Sequence, residues 1–145
     1  LLKTLSSFKN STDLFKWVLS TVKEIREKNS KIQVNKAEKL IEDTFTLIEQ
    51  NFSDSSLSLE SVADELNISI SYLSMLIKKK RDITFNKYLI KVRMEKAEEL
   101  LKYTNEKILN ISSSVGYNEV YYFSHSFKKY TGLSPREYRE VNKEV

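Results

Sequence analysis

The sequence repeats itself once, and this internal repeat restricts the chain to folds with two similar parts. The stretch Ile108–Arg139 (the second repeat) has the same pattern of apolar and turn residues as Leu59–Leu89 (the first repeat). The repeats align at an offset of 49 before a central turn and 50 after it, so the second turn has one extra residue. Before the turn, Leu59, Val62, Ala63, Leu66, Asn67 and Ile68 match Ile108, Ile111, Ser112, Val115, Gly116 and Tyr117. After it, Tyr72, Leu73, Ser74, Ile77, Lys78 and Lys79 match Tyr122, Phe123, Ser124, Phe127, Lys128 and Lys129, and Tyr88 matches Tyr138.

Each repeat has the pattern of two short helices joined by a tight turn, which is a helix-turn-helix. Matching apolar residues alone could reflect nothing more than a shared core spacing. However, a serine and a Lys-Lys pair also recur, at positions that a core does not need. An ordinary solvated surface predicts no such identity, so the sequence predicts a duplicated helix-turn-helix.

The rest of the chain favours an all-α fold. Only two glycines and one proline occur in 145 residues, and long irregular connections need those residues. We therefore predict two helix-turn-helix subdomains joined by a long central helix, Phe85 to about Tyr103, with an extra N-terminal connector helix. Tyr72 and Tyr122 are predicted to face the core, and Arg93 to lie on the exposed side of the long helix. The predicted cap and turn residues are Asn35, Ser58, Asn67, Ser69, Thr84, Gly116, Asn118, Gly132 and Ser134.

An apolar stripe marks a helix in the first 34 residues. Its partner could be the next helix, an upstream domain or a second chain, and the sequence does not choose between them. The polar stretch 29–35 predicts a break, after which Asn35 and Glu38 have the spacing of a capping box. The stripe consists of Leu14, Phe15, Val18, Leu19, Val22 and Ile25.

Charge is unevenly distributed along the chain. Residues 72–96 contain eight basic and two acidic side chains, whereas residues 35–71 contain two basic and eight acidic ones. A domain polarised in this way can present a basic face to a polyanion. Two functions fit this pattern: binding of nucleic acid, and a helical protein-interaction module whose basic face binds an acidic partner.

Several classes of function lack the residues they need. Without cysteine the chain has no disulfide, thiolate nucleophile or zinc–thiolate site. His125 is the only histidine, and its neighbour Ser124 would point about 100° away on a helix, which does not suit catalysis. We therefore predict no enzyme activity, no metal site and no cofactor. No apolar run approaches the ~20 residues of a membrane span, so we expect no membrane contact and a cytoplasmic location.

The long central helix suggests how the two repeats could work together. At 1.5 Å per residue it spans roughly 30 Å. The major groove of B-DNA, about 12 Å wide, admits a helix, and successive major grooves on one face lie ~34 Å apart. One chain could then insert two recognition helices, at about 70–80 and 119–130, into successive major grooves.

These residues resemble the DNA-binding domain of AraC/XylS-type transcription regulators. The resemblance covers about Lys36 to Glu140, and it implies two helix-turn-helix subdomains that bind promoter DNA in consecutive major grooves. The chain has Ser112 where the family usually has Ala, Asn67 and Asp82 where Gly is common, and Met75 and His125 where Arg is frequent. The resemblance is most specific in Ile108, Ile111, Val115, Gly116, Tyr117, Tyr122, Phe123, Ser124, Phe127, Lys128, Lys129, Gly132, Ser134, Pro135, Tyr138 and Arg139.

The resemblance also implies which side chains meet DNA. Serine reads several bases weakly and Met or Val contacts a thymine methyl, but none of the implied residues can pair bidentately with guanine as Arg does. We therefore expect modest sequence specificity that depends on phosphate contacts and dimerisation. The implied base contacts are Ser71, Ser74, Met75, Val120, Tyr121, Ser124 and His125, and the implied phosphate contacts are Lys78, Lys79, Lys128 and Lys129.

The resemblance extends to domain organisation and partners. Residues 35–145 are expected to form the DNA-binding domain, with subdomains 35–83 and 105–145 and the linking helix 84–104. Residues 1–34 resemble the connector of response regulators with an AraC-type output domain, and also that of membrane-sensor-linked regulators. Because the chain starts at Leu1 rather than Met, we expect it to be part of a longer protein. RNA polymerase is the further partner implied, as is a homodimer formed through the connector or the missing upstream domain.

Overall fold

The computed structural model describes residues 11–142, and over this range the chain forms α-helices and no β-strand. The all-α prediction with two helix-turn-helix subdomains and a long linking helix is confirmed. No helix in this range has both the length and the apolar character required to cross a membrane. The helices are α1 (Ser11–Asn51), α2 (Leu59–Glu65), α3 (Ile70–Arg81), α4 (Phe85–Tyr103), α5 (Ile108–Ser114), α6 (Val120–Thr131) and α7 (Pro135–Asn142).

The predicted break at residues 29–35 is wrong, because α1 continues through it without interruption. The stretch contains neither glycine nor proline, and its polar side chains are exposed, so nothing in it opposes the helix. Asn35 and Glu38 lie inside α1 and do not form the expected capping box. Residues 1–10 of the predicted connector, and 143–145 at the other end of the predicted DNA-binding domain, lie outside the described residues.

The chain divides into two compact units, the first ending at Lys39 and the second beginning at Leu40. In the described part of the first unit, every residue is exposed or half-buried. The second unit contains both repeats and all the fully buried side chains of residues 11–142. The subdomain boundaries given above stay a prediction.

Side-chain caps start most helices of the second unit where the sequence predicts them. Ser58 and Ser61 form a reciprocal capping box at α2, and Ser69 and Thr84 accept backbone N–H bonds at α3 and α4. Ser134 forms a capping box with Glu137 at α7, and the Ser134 hydrogen bonds hold the pKa of Glu137 below its ordinary value. The cap predicted at Asn118 is wrong.

The helix α6 begins instead after Glu119, and no side chain caps it.

The central turns of the two repeats have the same backbone hydrogen bonds. The bonds Asn67 N–H to Asp64 O and Ile68 N–H to Ala63 O recur 49 residues later, as Gly116 N–H to Ser113 O and Tyr117 N–H to Ser112 O. Asn67 and Gly116 both have positive φ, at 53° and 83°.

The linking helix α4 contributes to the core of both repeats. Its first half buries Phe85 and Leu89, and its second half buries Met94, Ala97 and Leu101. Because helix α4 is one rigid element, it fixes the separation of the two subdomains. The core of the first repeat also contains Ile41, Ile48, Val62, Ala63, Leu73, Leu76 and Ile77, and that of the second contains Ile111, Val115, Phe123 and Phe127.

A tyrosine–glutamate hydrogen bond ties each repeat to the helix that precedes it. The Tyr88 hydroxyl bonds Glu49, and burial together with this bond raises the pKa of Tyr88 to about 12. Burial and a hydrogen bond to Glu98 likewise raise the pKa of Tyr138. Glu49 and Glu98 are 49 residues apart and the tyrosines 50, so the repeat extends back into α1.

Arg93 is buried, which corrects the prediction that it lies on the exposed side of α4. Its Nε and Nη2 donate to the carbonyl oxygens of Phe52 and Asp54, both at 2.8 Å, in the turn after α1. The guanidinium carbon lies 5.4 Å from the centre of the Tyr117 ring. Arg93 thus joins the turn that precedes the first repeat to the turn of the second.

Gly116 is packed against this arginine, whereas Gly132 lies in open space. A Cβ at Gly116 would stand 2.5 Å from Phe52 O and 2.8 Å from Arg93 Nη2, and a Cβ at Gly132 would meet nothing within 4 Å. Their φ angles, 83° and 85°, are nearly equal. The pair therefore separates the cost of backbone conformation from the cost of crowding.

We predict that Gly132→Ala lowers the free energy of unfolding by about 1 kcal/mol, the cost of positive φ for a side-chain-bearing residue. Gly116→Ala should cost about 3 kcal/mol or more, because overpacking adds to the same backbone cost. Urea denaturation of both variants measures the difference. Equal losses would show that the Arg93 contact does not restrict position 116.

Candidate nucleic-acid interface

The helix α3 separates an apolar face from a polar one. Leu73, Leu76 and Ile77 are buried, at the spacing that one face of a helix gives. Ser69 caps its start, and Asp82 ends it with a left-handed φ of 51°. The buried face fixes the rotation of α3 about its axis and so decides which residues point to solvent.

The helix α6 has the same arrangement with larger side chains. Phe123 and Phe127 are buried, 50 residues after Leu73 and Ile77, with their ring centres 5.7 Å apart. Gly132 ends α6 with its N–H bonded to Lys128 O at 2.8 Å, as Asp82 N–H bonds Lys78 O at 3.1 Å. The two recognition helices are therefore held by equivalent contacts.

The structure brings the implied base contacts to one face of each recognition helix. Ser71 is exposed on α3, as are Ser74 and Met75, which follow it by three and four residues and so share its face. On α6, Tyr121 and His125 are exposed. The remaining two, Val120 and Ser124, are half-buried beside them.

Tyr72 and Tyr122 are both exposed, which corrects the prediction that they face the core. Tyr122 is 65% exposed and Tyr72 42%, at equivalent positions of the two helices. Tyr121, 76% exposed, lies against Tyr122 with the ring centres 5.7 Å apart in an edge-to-face arrangement. The exposed face of α6 therefore carries two aromatic side chains instead of the single one predicted.

The four implied phosphate contacts are exposed, but they are not equivalent. Lys78 Nζ lies 2.7 Å from Asp82 Oδ1, and its hydrogen bond and charge hold the pKa of Asp82 below its ordinary value. Both side chains remain largely in solvent, so this ion pair contributes little stability. Lys79, Lys128 and Lys129 are exposed at the same ends of the two helices.

An open cavity beside α6 adds a cation that sequence reasoning did not assign to the interface. It measures about 340 Å³ and lies between α4 and α6. Lys87 reaches it from α4, and its position among the exposed lysines of that helix was the only signal in the sequence. The lining residues are Lys87, Ile90, His125, Ser126, Lys129 and Tyr130.

The second unit thus contains two helix-turn-helix subdomains that share the helix α4, and each subdomain exposes the polar face of one helix. This arrangement defines a tandem helix-turn-helix DNA-binding domain. Comparison with known proteins gives the family. A family model described as a helix-turn-helix domain matches residues 62–140. The chain belongs to the AraC family of helix-turn-helix DNA-binding transcription regulators.

Relatives and solved structures agree with this assignment. The Msm operon regulatory protein of Streptococcus mutans is 32% identical over 135 residues, which cover 88% of this chain and 46% of that protein. The chain thus spans about half the length of the curated relatives it matches. The C-terminal domain of AraT, a response regulator from Geobacillus stearothermophilus, is 44% identical with a TM-score of 0.72, covering 73% of this chain and 88% of that chain. The C-terminal domain of the two-component response regulator yesN from Fusobacterium nucleatum is 39% identical with a TM-score of 0.66, covering 72% and 98%.

Substitution of two adjacent aromatic residues on α6 tests which face of this helix packs against the core. We predict that Tyr122→Ala changes the free energy of unfolding by no more than about 0.5 kcal/mol, as surface substitutions do. Phe123→Ala should cost about 3–5 kcal/mol, because it empties a fully buried site. Thermal or urea unfolding distinguishes them, and a large loss for Tyr122→Ala would contradict the exposed placement.

Proposed function

We propose that the chain binds promoter DNA by inserting α3 and α6 into two successive major grooves. The observation that supports this most strongly is the matched surface of the two helices. Each repeat buries equivalent apolar residues, exposes an equivalent Lys-Lys pair, and carries an equivalent serine that is exposed in the first repeat and half-buried in the second. A core explains the first match but not the second, whereas two contacts with the same polymer explain both.

The dimensions of α4 support this arrangement. Its 19 residues correspond to roughly 28 Å at 1.5 Å per residue. This approaches the ~34 Å that separates successive major grooves on one face of DNA. The helix is continuous and buried along one side in both subdomains, so the spacing of the recognition helices is set before DNA is met.

Phosphate contacts are proposed to supply much of the affinity. Lys79, Lys128 and Lys129 extend from the ends of the recognition helices, and Lys87 stands beside α6. Lys78 would exchange Asp82 for a phosphate, at little cost because the pair is exposed. Cations placed in this way fix the register of a protein on DNA without reading sequence.

Base contacts are proposed for Ser71, Ser74 and Met75 on α3 and for Val120, Tyr121, Ser124 and His125 on α6. Met75 and Val120 suit thymine methyl groups, and serine and histidine offer single hydrogen bonds. The exposed rings of Tyr122 and Tyr72 add apolar contact and a hydroxyl at equivalent places. Because none of these side chains is a bidentate arginine, we expect modest specificity for each subsite.

Two similar solved structures support a place for this chain in a longer protein. AraT and yesN are described as response regulators, and their matched parts are C-terminal domains. We infer that this chain is the output domain of a comparable two-component regulator in the cytoplasm, with RNA polymerase as a further partner. We also infer a homodimer, and we assign the chain no catalytic role.

The salt dependence of DNA affinity tests the proposed phosphate contacts. Lys128→Ala/Lys129→Ala should reduce the slope of log K against log salt concentration by about 2, since each phosphate contact releases counterions worth about 0.9. Lys96→Ala/Lys102→Ala removes the same charge from the acidic C-terminal half of α4 and serves as the control. A gel-shift series on duplex DNA gives both slopes. Equal slopes, or no preference for duplex over other polyanions, would favour a protein-interaction module with an acidic partner.

The footprint on DNA tests whether both recognition helices enter the major groove. Hydroxyl-radical cleavage on a selected duplex should show protection in two adjacent major grooves on one face, with centres about 10 base pairs apart. Tyr121→Ala/His125→Ala should weaken protection in only one of them, and Ser71→Ala/Met75→Ala in the other. Protection of a single groove by the unmodified chain would overturn the proposal.

A further inference from the structure

The first unit carries a seven-residue repeat on the exposed surface of α1. Counting Phe15 as position a of an abcdefg heptad, the a and d positions follow at alternating steps of three and four residues. This 3.5-residue average is the period at which two helices pack along each other as a left-handed coiled coil. The residues at a and d, here named the α1 seam, are Phe15, Val18, Val22, Ile25, Asn29, Ile32 and Lys36, and all are exposed.

The heptad belongs to the first unit alone. Beyond Lys39, the buried residues of α1 are Ile41, Thr44 and Ile48, which fall at positions f, b and f. The core of the second unit therefore uses positions other than a and d. The core of the second unit therefore gives the α1 seam no role, although five of its seven side chains are large and apolar.

Asn29 distinguishes a coiled-coil seam from an ordinary amphipathic face. It is the one polar residue between apolar seam positions, at the third of the four a positions. A single Asn at position a lowers stability but fixes register and favours two parallel strands, since the two amides can bond each other. Isoleucine at d, as at Ile25 and Ile32, would otherwise allow higher assemblies.

Charges beside the seam fit a parallel pair of identical helices. In that arrangement position g of one helix faces position e of the next heptad on the other. None of the facing e and g pairs brings two like charges together, and the first pair extends the apolar contact; within the seam, Lys36 at its C-terminal end faces Lys36 of the second copy. The facing pairs are Leu14 with Leu19, Thr21 with Arg26, and Lys28 with Gln33 of the second chain.

We propose that the α1 seam pairs with the α1 seam of a second copy of this chain, as a parallel two-stranded coiled coil in register at Asn29. The inference deepens the proposed homodimer by giving its surface and orientation. Its tests contain no DNA, so they can fail while the DNA-binding proposal stands.

The chain offers a matched pair of valines for the first test. Val22 is a seam residue, 40% exposed, and Val34 lies at position f of the same helix, 52% exposed. In sedimentation equilibrium the unmodified chain should show a monomer–dimer equilibrium. Val22→Glu should weaken dimerisation at least about tenfold, equivalent to 1.4 kcal/mol, and Val34→Glu should leave it within about twofold. Circular dichroism checks that both stay helical.

A chain that stays monomeric at its solubility limit, or an equal effect of the two glutamates, would overturn the proposal. Asn29→Val tests register separately. It should tighten association and add species larger than a dimer, because the polar layer that favours two strands is lost. Unchanged association in Asn29→Val would show that residue 29 is not inside an interface.

Orientation can be tested because the chain has no cysteine of its own. In a parallel, in-register pair each d residue faces its own copy, so Ile25→Cys should form an intermolecular disulfide rapidly under mild oxidation. In an antiparallel pair position d faces position a, and Ile25→Cys would not crosslink. Val34→Cys, at position f, is the control and should crosslink no faster than random collision. Equal rates for the two cysteines would exclude the parallel seam.

Discussion

The second unit depends on one buried cation, the Arg93 guanidinium, and on the carbonyl oxygens that surround it. Burial lowers the pKa of Arg93, although guanidinium remains charged at any physiological pH. An unpaired buried charge would be very costly, and two hydrogen bonds to Phe52 O and Asp54 O together with the Tyr117 ring offset that cost. These partners come from the turn that precedes the first repeat and from the turn of the second. Their relative position is therefore fixed by a polar contact with definite geometry as well as by the apolar core of α4.

This contact explains why the two repeats differ in their turns. Thr44 stands 49 residues before Arg93, and its hydroxyl is satisfied within α1 by Leu40 O. The first repeat has no arginine at this position, and its turn accommodates Asn67 at positive φ. In the second repeat, a Cβ at position 116 would clash with Arg93 and Phe52 O, so the position requires glycine. Asp82 and Gly132 occupy equivalent positions with positive φ, but no crowding restricts them. Because a Cβ at Gly132 would lie in open space, only the modest backbone preference favours glycine there.

How far the sequence predicts the structure depends on how local each signal is. Helix starts at Ser58, Ser69, Thr84 and Ser134 were predictable, because a cap needs only a few neighbouring residues. The break at 29–35 was not, since polar residues with capping-box spacing also fit inside an exposed helix. The placement of Tyr122 failed because tyrosine suits both core and surface, and only the packing of Phe123 and Phe127 decides. Arg93 lies one helical turn from both Leu89 and Ala97, so its position on the apolar face was visible, but its carbonyl partners were not.

The duplicated surface divides the residues of the two recognition helices into two groups. The Lys-Lys pairs match between the repeats, and they suit contacts common to any groove, such as phosphates. Positions that differ, with Ser71 against Tyr121 and Met75 against His125, suit contacts that vary with base sequence. If α3 and α6 enter successive grooves, they must read two different subsites, so one chain recognises a site with a direction. A dimer would then carry two such directional readers, one in each chain.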